Sequence, residues 1–162
     1  MLKKIKLFQI FFVGFLLFSI NCKAAEAPKL IIKKLDKEIF DLSKQKGKIV
    51  IINFWAQWCV NCRKELLILD KIYAKYQSRG LEIIGVSIDE KRDLNKVLNI
   101  VEGKKYPNAM LFDELENSFG EPNLVPTSYV IDQKGNLITK IIATDQEIEK
   151  KDFEESIENL LN

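Results

Sequence analysis

Residues 49–54 (IVIINF) constrain the fold of this chain more than any other stretch. Apart from Asn53, both alternating faces are apolar, which is typical of a strand buried between two layers, as in a parallel sheet. Residues 59–79 follow with apolar side chains at helical spacing, and Gly80 is a typical residue for ending a helix. Residues 81–88 (LEIIGVSI) form a second buried run. Strand, helix and strand in this order predict a right-handed βαβ unit with two parallel strands.

The other predicted elements are shorter and lie on both sides of this unit in the chain. They are strands at 30–32 and 38–41, a loop at 43–48, a helix at 93–101, a short strand at 109–112, a helical turn at 114–119, strands at 128–131 and 137–142, and a helix at 153–161. Gly135 suits the left-handed position of a hairpin between the last two strands. The length of 162 residues fits one domain. The order predicts an α/β fold whose sheet begins parallel and ends in an antiparallel hairpin.

The first 24 residues differ from the rest in composition. They hold four of the 25 basic residues and none of the 23 acidic ones, and residues 7–20 are almost wholly apolar. A basic start followed by an apolar run of this length predicts a secretory signal, because a membrane span usually needs about 20 apolar residues. Cleavage after Ala24 is expected, and an uncleaved anchor or a lipid on Cys22 are the alternatives. Residues 25–29 would then be a linker and 30–162 the domain, outside the cytoplasm in each case.

Charge and composition exclude several classes of function. Beyond residue 24 the chain has 21 basic and 23 acidic residues, with no basic stripe, so no nucleic-acid-binding surface is expected. The chain has no histidine, which excludes Cys-His catalysis, histidine-ligated metals and an imidazole pH switch. Three cysteines are too few for a disulfide-rich scaffold.

Cys59 and Cys62 are the residues with the clearest chemical potential. They lie directly after the buried strand and at the start of the predicted helix. The free backbone N–H groups and the helix dipole favour a thiolate on Cys59 at that point, whereas Cys62, one turn further in, is expected to be more buried. This asymmetry predicts thiol–disulfide exchange in two steps, in which Cys59 forms a mixed disulfide with a substrate and Cys62 resolves it. The exchange needs no metal and no cofactor.

A Cys-x-x-Cys pair has other uses, which the rest of the sequence disfavours. A four-cysteine zinc site needs a second pair, but the one other cysteine is Cys22. Covalent haem attachment needs a histidine after the second cysteine, where Arg63 stands. An inert structural disulfide is the remaining alternative, although a helix start is the place that makes a cysteine reactive.

Residues 54–65 (FWAQWCVNCRKE) resemble the active-site stretch of thioredoxin-fold proteins, and they are most similar to TlpA/ResA-type extracytoplasmic thiol-disulfide oxidoreductases. Further matches are Gly47-Lys48, residues 85–89 (GVSID), residues 125–132 (VPTSYVID) and Gly135. The resemblance extends from residue 30 to the C-terminus. It implies a thioredoxin-like fold, with a central mixed sheet flanked by helices and an N-terminal extension of short strands.

The same resemblance implies an enzyme that exchanges thiols and disulfides with protein substrates, without a cofactor. In that family electrons pass from a membrane thiol donor to oxidised protein thiols, and the haem-attachment cysteines of apocytochrome c are one target. We therefore expect a periplasmic or other extracytoplasmic reductant. An oxidative disulfide donor or an isomerase is the alternative within this chemistry. A copper carrier on this fold would use a wider cysteine spacing and a histidine, and a peroxidase would need a cysteine in a different local setting.

The resemblance also assigns residues around the two cysteines. It implies a cis peptide bond before Pro126, which would let Val125 present its backbone to a substrate chain. Val125, Pro126 and Thr127 are therefore expected to bind substrate. Trp58 is expected to shield the disulfide and to offer the substrate an apolar contact, whereas Trp55 is expected to pack in the core.

Two positions depart from the family pattern. Thioredoxin itself carries a buried Asp where Asn53 stands, and since Asn cannot ionise, the proton acceptor for Cys62 is left open between Glu65, Glu121 and water. Glu65 is expected to be an exposed helix residue paired with a neighbouring cation. Val60-Asn61 lacks the Pro that often precedes the second cysteine, which is expected to change the redox potential and the thiolate pKa.

Overall fold

The computed structural model describes residues 25–142 and 149–161, which form seven strands, three α-helices and three short 3₁₀ helices. The strands are β1 (Leu30–Lys34), β2 (Ile39–Asp41), β3 (Ile49–Trp55), β4 (Leu81–Ser87), β5 (Asn108–Asn117), β6 (Thr127–Ile131) and β7 (Leu137–Ile142). The α-helices are α1 (Val60–Tyr76), α2 (Leu94–Val101) and α3 (Lys150–Leu161), and the 3₁₀ helices are Leu42–Gln45, Gln77–Arg79 and Lys91–Asp93. The segment 1–24, where a signal peptide or anchor is predicted, lies outside the described residues.

The strands form one mixed sheet in the order β2-β1-β5-β4-β3-β6-β7. The predicted βαβ unit is confirmed, because β3 and β4 pair in parallel and α1 connects them. The predicted hairpin is also confirmed: β6 pairs antiparallel with both β3 and β7, and Gly135 in its turn has a φ of +90°. The sheet is therefore the mixed sheet of the thioredoxin-like fold.

The helical turn predicted at 114–119 is wrong, because β5 continues as a strand to Asn117. Its outer half pairs antiparallel with β1, with Leu30 opposite Asn117 and Ile32 opposite Glu114. Hydrogen bonds to β1, about 80 residues earlier in the chain, outweigh the local helical preference of residues 114–117. A second difference is smaller: the predicted loop at 43–48 contains part of a 3₁₀ helix, which the Asp41 side chain caps by accepting from the Ser43 N–H at 2.9 Å.

Every residue of β3 is buried, since this strand lies inside the sheet and both of its faces are covered. On one face, Ile49, Ile51 and Trp55 belong to the apolar cluster that includes the inner sides of α1 and α3. On the other face, Val50, Ile52 and Phe54 pack with side chains of β1, β2, β4 and β6. Burial on both faces explains why this run is apolar without alternation.

Leu69→Ala is expected to lower the free energy of unfolding by about 2–5 kcal/mol, because the Leu69 side chain of α1 is fully buried against the sheet. Leu67→Ala is the matched control, since Leu67 lies in the same helix with its side chain 56% exposed. It should cost less than about 1 kcal/mol. Equilibrium unfolding in urea measures both variants, and equal losses would contradict this orientation of α1.

The C-terminal ends of β3 and β4 and the start of β6 lie at one edge of the sheet, where Phe54 pairs with Thr127 and Trp55 pairs with Ser87. The predicted linker, 25–29, is attached at the opposite edge. The Ala27 N–H donates to the Gly135 carbonyl at 2.9 Å, and the Leu137 N–H donates to the Ala25 carbonyl at 2.8 Å. Within the described ranges, none of the helices has the length and apolar character needed to cross a bilayer.

Candidate active site

Cys59 and Cys62 form a disulfide at the start of α1, with their Cα atoms 5.2 Å apart. Cys59 is the N-cap residue of this helix, and the Cys62 N–H donates to its Sγ at 3.1 Å. The N–H groups of a first helical turn lack partners within the helix, and here one of them is aimed at the Cys59 sulfur. The same contact would stabilise a thiolate on Cys59 after the disulfide is reduced.

The two sulfur-bearing residues differ in access, as predicted. The Cys59 residue is 8% exposed and Cys62 is 0% exposed. The flanking side chains Trp58 and Val60 are 63% and 59% exposed, so the small exposed part of Cys59 lies between two apolar groups at the surface. A substrate sulfur can therefore approach Cys59 from solvent. Cys62 is closed to solvent and contacts Cys59 through the disulfide.

A loop that precedes β6 lies against the Cys59 sulfur. The peptide bond between Val125 and Pro126 is cis, as the family resemblance implies. The Val125 carbonyl oxygen lies 3.6 Å from Cys59 Sγ. The Thr127 hydroxyl donates to the Leu124 carbonyl at 2.7 Å and holds this loop closed. The sheet thus brings three predicted substrate-binding residues, Val125, Pro126 and Thr127, to the reactive cysteine.

The two tryptophans occupy different environments. Trp55 is fully buried in the core, as expected. Trp58 is largely exposed and lines a cavity of about 510 Å³ together with Leu124 and Val125. Its indole is thus available to an incoming chain beside the disulfide. Pro122 and Glu121, one of the predicted proton-acceptor candidates, line the same cavity, and Glu121 is exposed.

The turn that leads into Cys59 is held by Asp89, a residue that sequence reasoning included only as part of a motif. One Asp89 carboxylate oxygen accepts from the Gln57 N–H at 2.7 Å and from the Ser87 hydroxyl at 2.7 Å. The Ile88 N–H donates to the Trp55 carbonyl at 2.9 Å. These contacts connect the end of β4 to the end of β3 and to the turn before α1. They therefore hold Cys59, the N-cap of α1, in position.

The expectation that Glu65 is exposed is wrong: it is 2% exposed. Glu65 lies three residues after Cys62, which places both on the face of α1 that packs against the sheet. The Asn53 side-chain amide donates to Glu65 Oε1 at 2.9 Å, and the Ser128 hydroxyl donates to the same oxygen at 2.7 Å. Asn53 and Ser128 are paired between β3 and β6. The spacing from Cys62 was the signal that could have revealed this burial.

Burial raises the pKa of Glu65 to about 7, because the charged carboxylate loses its hydration, while the hydrogen bond from Ser128 acts in the opposite direction. Its second oxygen, Oε2, has no hydrogen-bond partner among the described residues. In this protein the buried carboxyl belongs to α1, whereas residue 53 of β3 contributes an amide. A carboxyl with this pKa can take up or release a proton near neutral pH.

Known proteins that are similar to this chain, in sequence or in structure, belong to one class of protein. The model of the AhpC/TSA family matches residues 24–140. A thiol-disulfide oxidoreductase ResA from Bacillus thuringiensis (strain Al Hakam) is 34% identical over 119 residues, covering 72% of this chain and 68% of the relative. A ResA from Bacillus thuringiensis subsp. konkukian (strain 97-27) is 35% identical over 139 residues, covering 84% and 75%.

A solved structure supports the same grouping. It is a thiol:disulfide interchange protein of the thioredoxin family from Chlorobium tepidum TLS, with a TM-score of 0.73 and 27% sequence identity. The match covers 88% of this chain and 99% of the other. The comparison of folds and the comparison of sequences therefore point to the same class of proteins.

Proposed function

Because this chain belongs to the AhpC/TSA family and is a thioredoxin-like thiol-disulfide oxidoreductase, we propose that it reduces disulfides of protein substrates outside the cytoplasm through Cys59 and Cys62. The observation that carries the proposal is the asymmetry of the pair. Cys59 is the N-cap of α1 and keeps a small exposed fraction of 8%, whereas Cys62 is fully buried. This arrangement supports Cys59 as the nucleophile and Cys62 as the resolving thiol.

The exchange proceeds in two balanced steps. The Cys59 thiolate attacks one sulfur of a substrate disulfide, forms a mixed disulfide and releases the other substrate sulfur as a thiolate. The Cys62 thiolate then attacks Cys59, closes the Cys59–Cys62 disulfide and releases the second substrate sulfur. The substrate disulfide has become two thiols, and a dithiol donor must reduce the protein before the next cycle. By the family resemblance, that donor is a membrane thiol protein and apocytochrome c is one class of substrate.

Cys62 must lose its proton before the second step, and we assign that proton to Glu65. The residue lies one turn further along the same buried face of α1 and has a pKa of about 7. A buried carboxylate with an unpaired oxygen is a suitable base for a thiol that solvent does not reach. Glu121 is less suited because it lies in the exposed loop that lines the cavity beside Trp58.

A position outside the cytoplasm is supported by the basic and apolar composition of residues 1–24. The described chain begins at Ala25, which hydrogen-bonds beside the turn between β6 and β7. That turn and the start of β6 beside Cys59 lie at opposite ends of the strand. The first described residue therefore lies at the end of the sheet opposite the disulfide.

The reducing direction is tested by the standard reduction potential of the Cys59–Cys62 pair, measured at equilibrium in glutathione buffers. A reductant should have a value of about −270 mV, as in thioredoxin, and an oxidant a value of about −120 mV. A value close to the second would contradict the reducing direction and favour an oxidative donor. Reduction of a model protein disulfide by the dithiol form, followed in the same buffers, is the accompanying readout.

A further inference from the structure

Two neighbouring cavities beside the disulfide share Ile88 and Glu121 in their linings, and together we call them the groove. The first, of about 510 Å³, begins at Trp58 and Val125 next to Cys59. The second, of about 370 Å³, lies between residues 88–90, which follow β4, and the outer half of β5. Ile88 and Glu121 line both cavities, so the groove continues from the disulfide along β5. We call the second cavity, lined by Asp89, Glu90, Glu114 and Glu121 among others, the acidic arm.

The groove suits an extended chain. Its first part is apolar, with Trp58 63% and Leu124 58% exposed. Along the acidic arm, β5 pairs on one side with β1, whereas its pairing with β4 covers only Asn108 to Met110. Within the described residues, the remainder of that second side of β5 faces the cavity without a neighbouring strand. An open strand edge beside an apolar pocket is a common docking place for an extended peptide.

The negative charge of the acidic arm favours the binding of a positively charged side chain. Among the described residues that line the two cavities there are four acids and no Lys or Arg. Asp89 is engaged with Gln57 and Ser87, and Glu90 pairs with Arg92 at 3.2 Å. Glu114 and Glu121 form no ion pair with the described part of the chain. A cleft lined by one sign of charge attracts the opposite charge and steers its approach.

We propose that the groove selects substrates in which Lys or Arg lies within a few residues of the target disulfide. The residues beside the substrate cysteine lie against Trp58 and Leu124. The flanking cation lies in the acidic arm opposite Glu114 and Glu121. This inference rests on the proposed function and adds the substrate class: an extended polypeptide segment whose disulfide has basic neighbours.

Three synthetic disulfide peptides test the inference. They are identical except that Lys, Ser or Glu flanks the cysteines, and kcat/KM for their reduction is measured with the full chain at low and high salt. The wild type should prefer the Lys peptide to the Glu peptide by about fivefold or more, which is the size expected for two surface charge pairs. The preference should shrink at high salt, because salt screens exposed charges.

The variant Glu114→Gln/Glu121→Gln should lose this preference, so that its kcat/KM values for the Lys, Ser and Glu peptides agree within about twofold. The matched control is Glu102→Gln/Glu155→Gln, which removes the same charge from two exposed positions that line neither cavity. The control should keep the preference.

Equal preference in the wild type and in Glu114→Gln/Glu121→Gln would overturn the role of the acidic arm. A uniform loss on all three peptides in that variant would also overturn it, because a lost charge contact must affect the Lys peptide most. Failure of the wild type to reduce even the Ser peptide would overturn the proposed function, and this inference with it.

Discussion

Cys62→Ser is expected to abolish turnover of a disulfide substrate and to leave the substrate bound to Cys59 as a mixed disulfide. Cys59 keeps its place at the N-cap of α1 and can still attack, but no thiol remains to resolve the product. Turnover should fall by about 10³-fold or more, the range seen when a residue that acts covalently is removed. Non-reducing gels and intact-mass measurement detect the trapped species.

Cys59→Ser should lose turnover to the same extent but should trap no substrate, because Cys62 is fully buried. Cys22→Ser is the matched control, since Cys22 lies outside the proposed pair, and this variant should retain turnover. Substantial activity in either Cys59→Ser or Cys62→Ser, or trapping through Cys62, would refute the assigned roles.

Glu65→Gln is expected to remove a pH-dependent component of stability. The pKa of Glu65 in the folded protein, about 7, lies above its ordinary value of 4.5. Folding therefore favours the protonated acid, and this stabilisation is fully present below pH 4.5 and is lost as the pH rises through about 7. The loss amounts to about 3 kcal/mol in wild type, because each pKa unit corresponds to about 1.4 kcal/mol. Glutamine cannot ionise, so the variant should lack this decline.

The readout is the difference in unfolding free energy between Glu65→Gln and wild type, measured with the disulfide intact from pH 4 to pH 8. As the pH rises, the unfolding free energy of Glu65→Gln should increase relative to that of the wild type. Glu155→Gln, at an exposed position of α3, is the control and should give a constant difference. A constant difference for Glu65→Gln as well would contradict a raised pKa.

The same variant tests the proton transfer. In wild type, the rate of the resolving step should increase as Glu65 loses its proton through about pH 7. In Glu65→Gln this increase should disappear and the rate near pH 8 should be lower, since Cys62 loses its buried base. Single-turnover kinetics with a preformed mixed disulfide separates this step from the first attack. An unchanged pH profile would exclude Glu65 as the acceptor.

The sequence determined those parts of the molecule that depend on local patterns. The apolar run of β3 and the helical spacing after it required a buried strand followed by an amphipathic helix. That order placed Cys59 at the helix start and Cys62 one turn further in. Their difference in exposure followed from these positions. The hairpin of β6 and β7 was likewise visible from its turn, because Gly135 meets a local backbone requirement.

Only the tertiary structure decided the features in which distant segments meet. Glu65 is buried because β3 and β6 bring Asn53 and Ser128 to its carboxyl, whereas a glutamate on a helix is otherwise expected to be exposed. β5 extends to Asn117 because β1 supplies its partner. The groove beside the disulfide is lined by residues from the turn before α1, from β5 and from the loop before β6. Sequence periodicity reports which face of an element is apolar, but it does not report which distant polar group that face will meet.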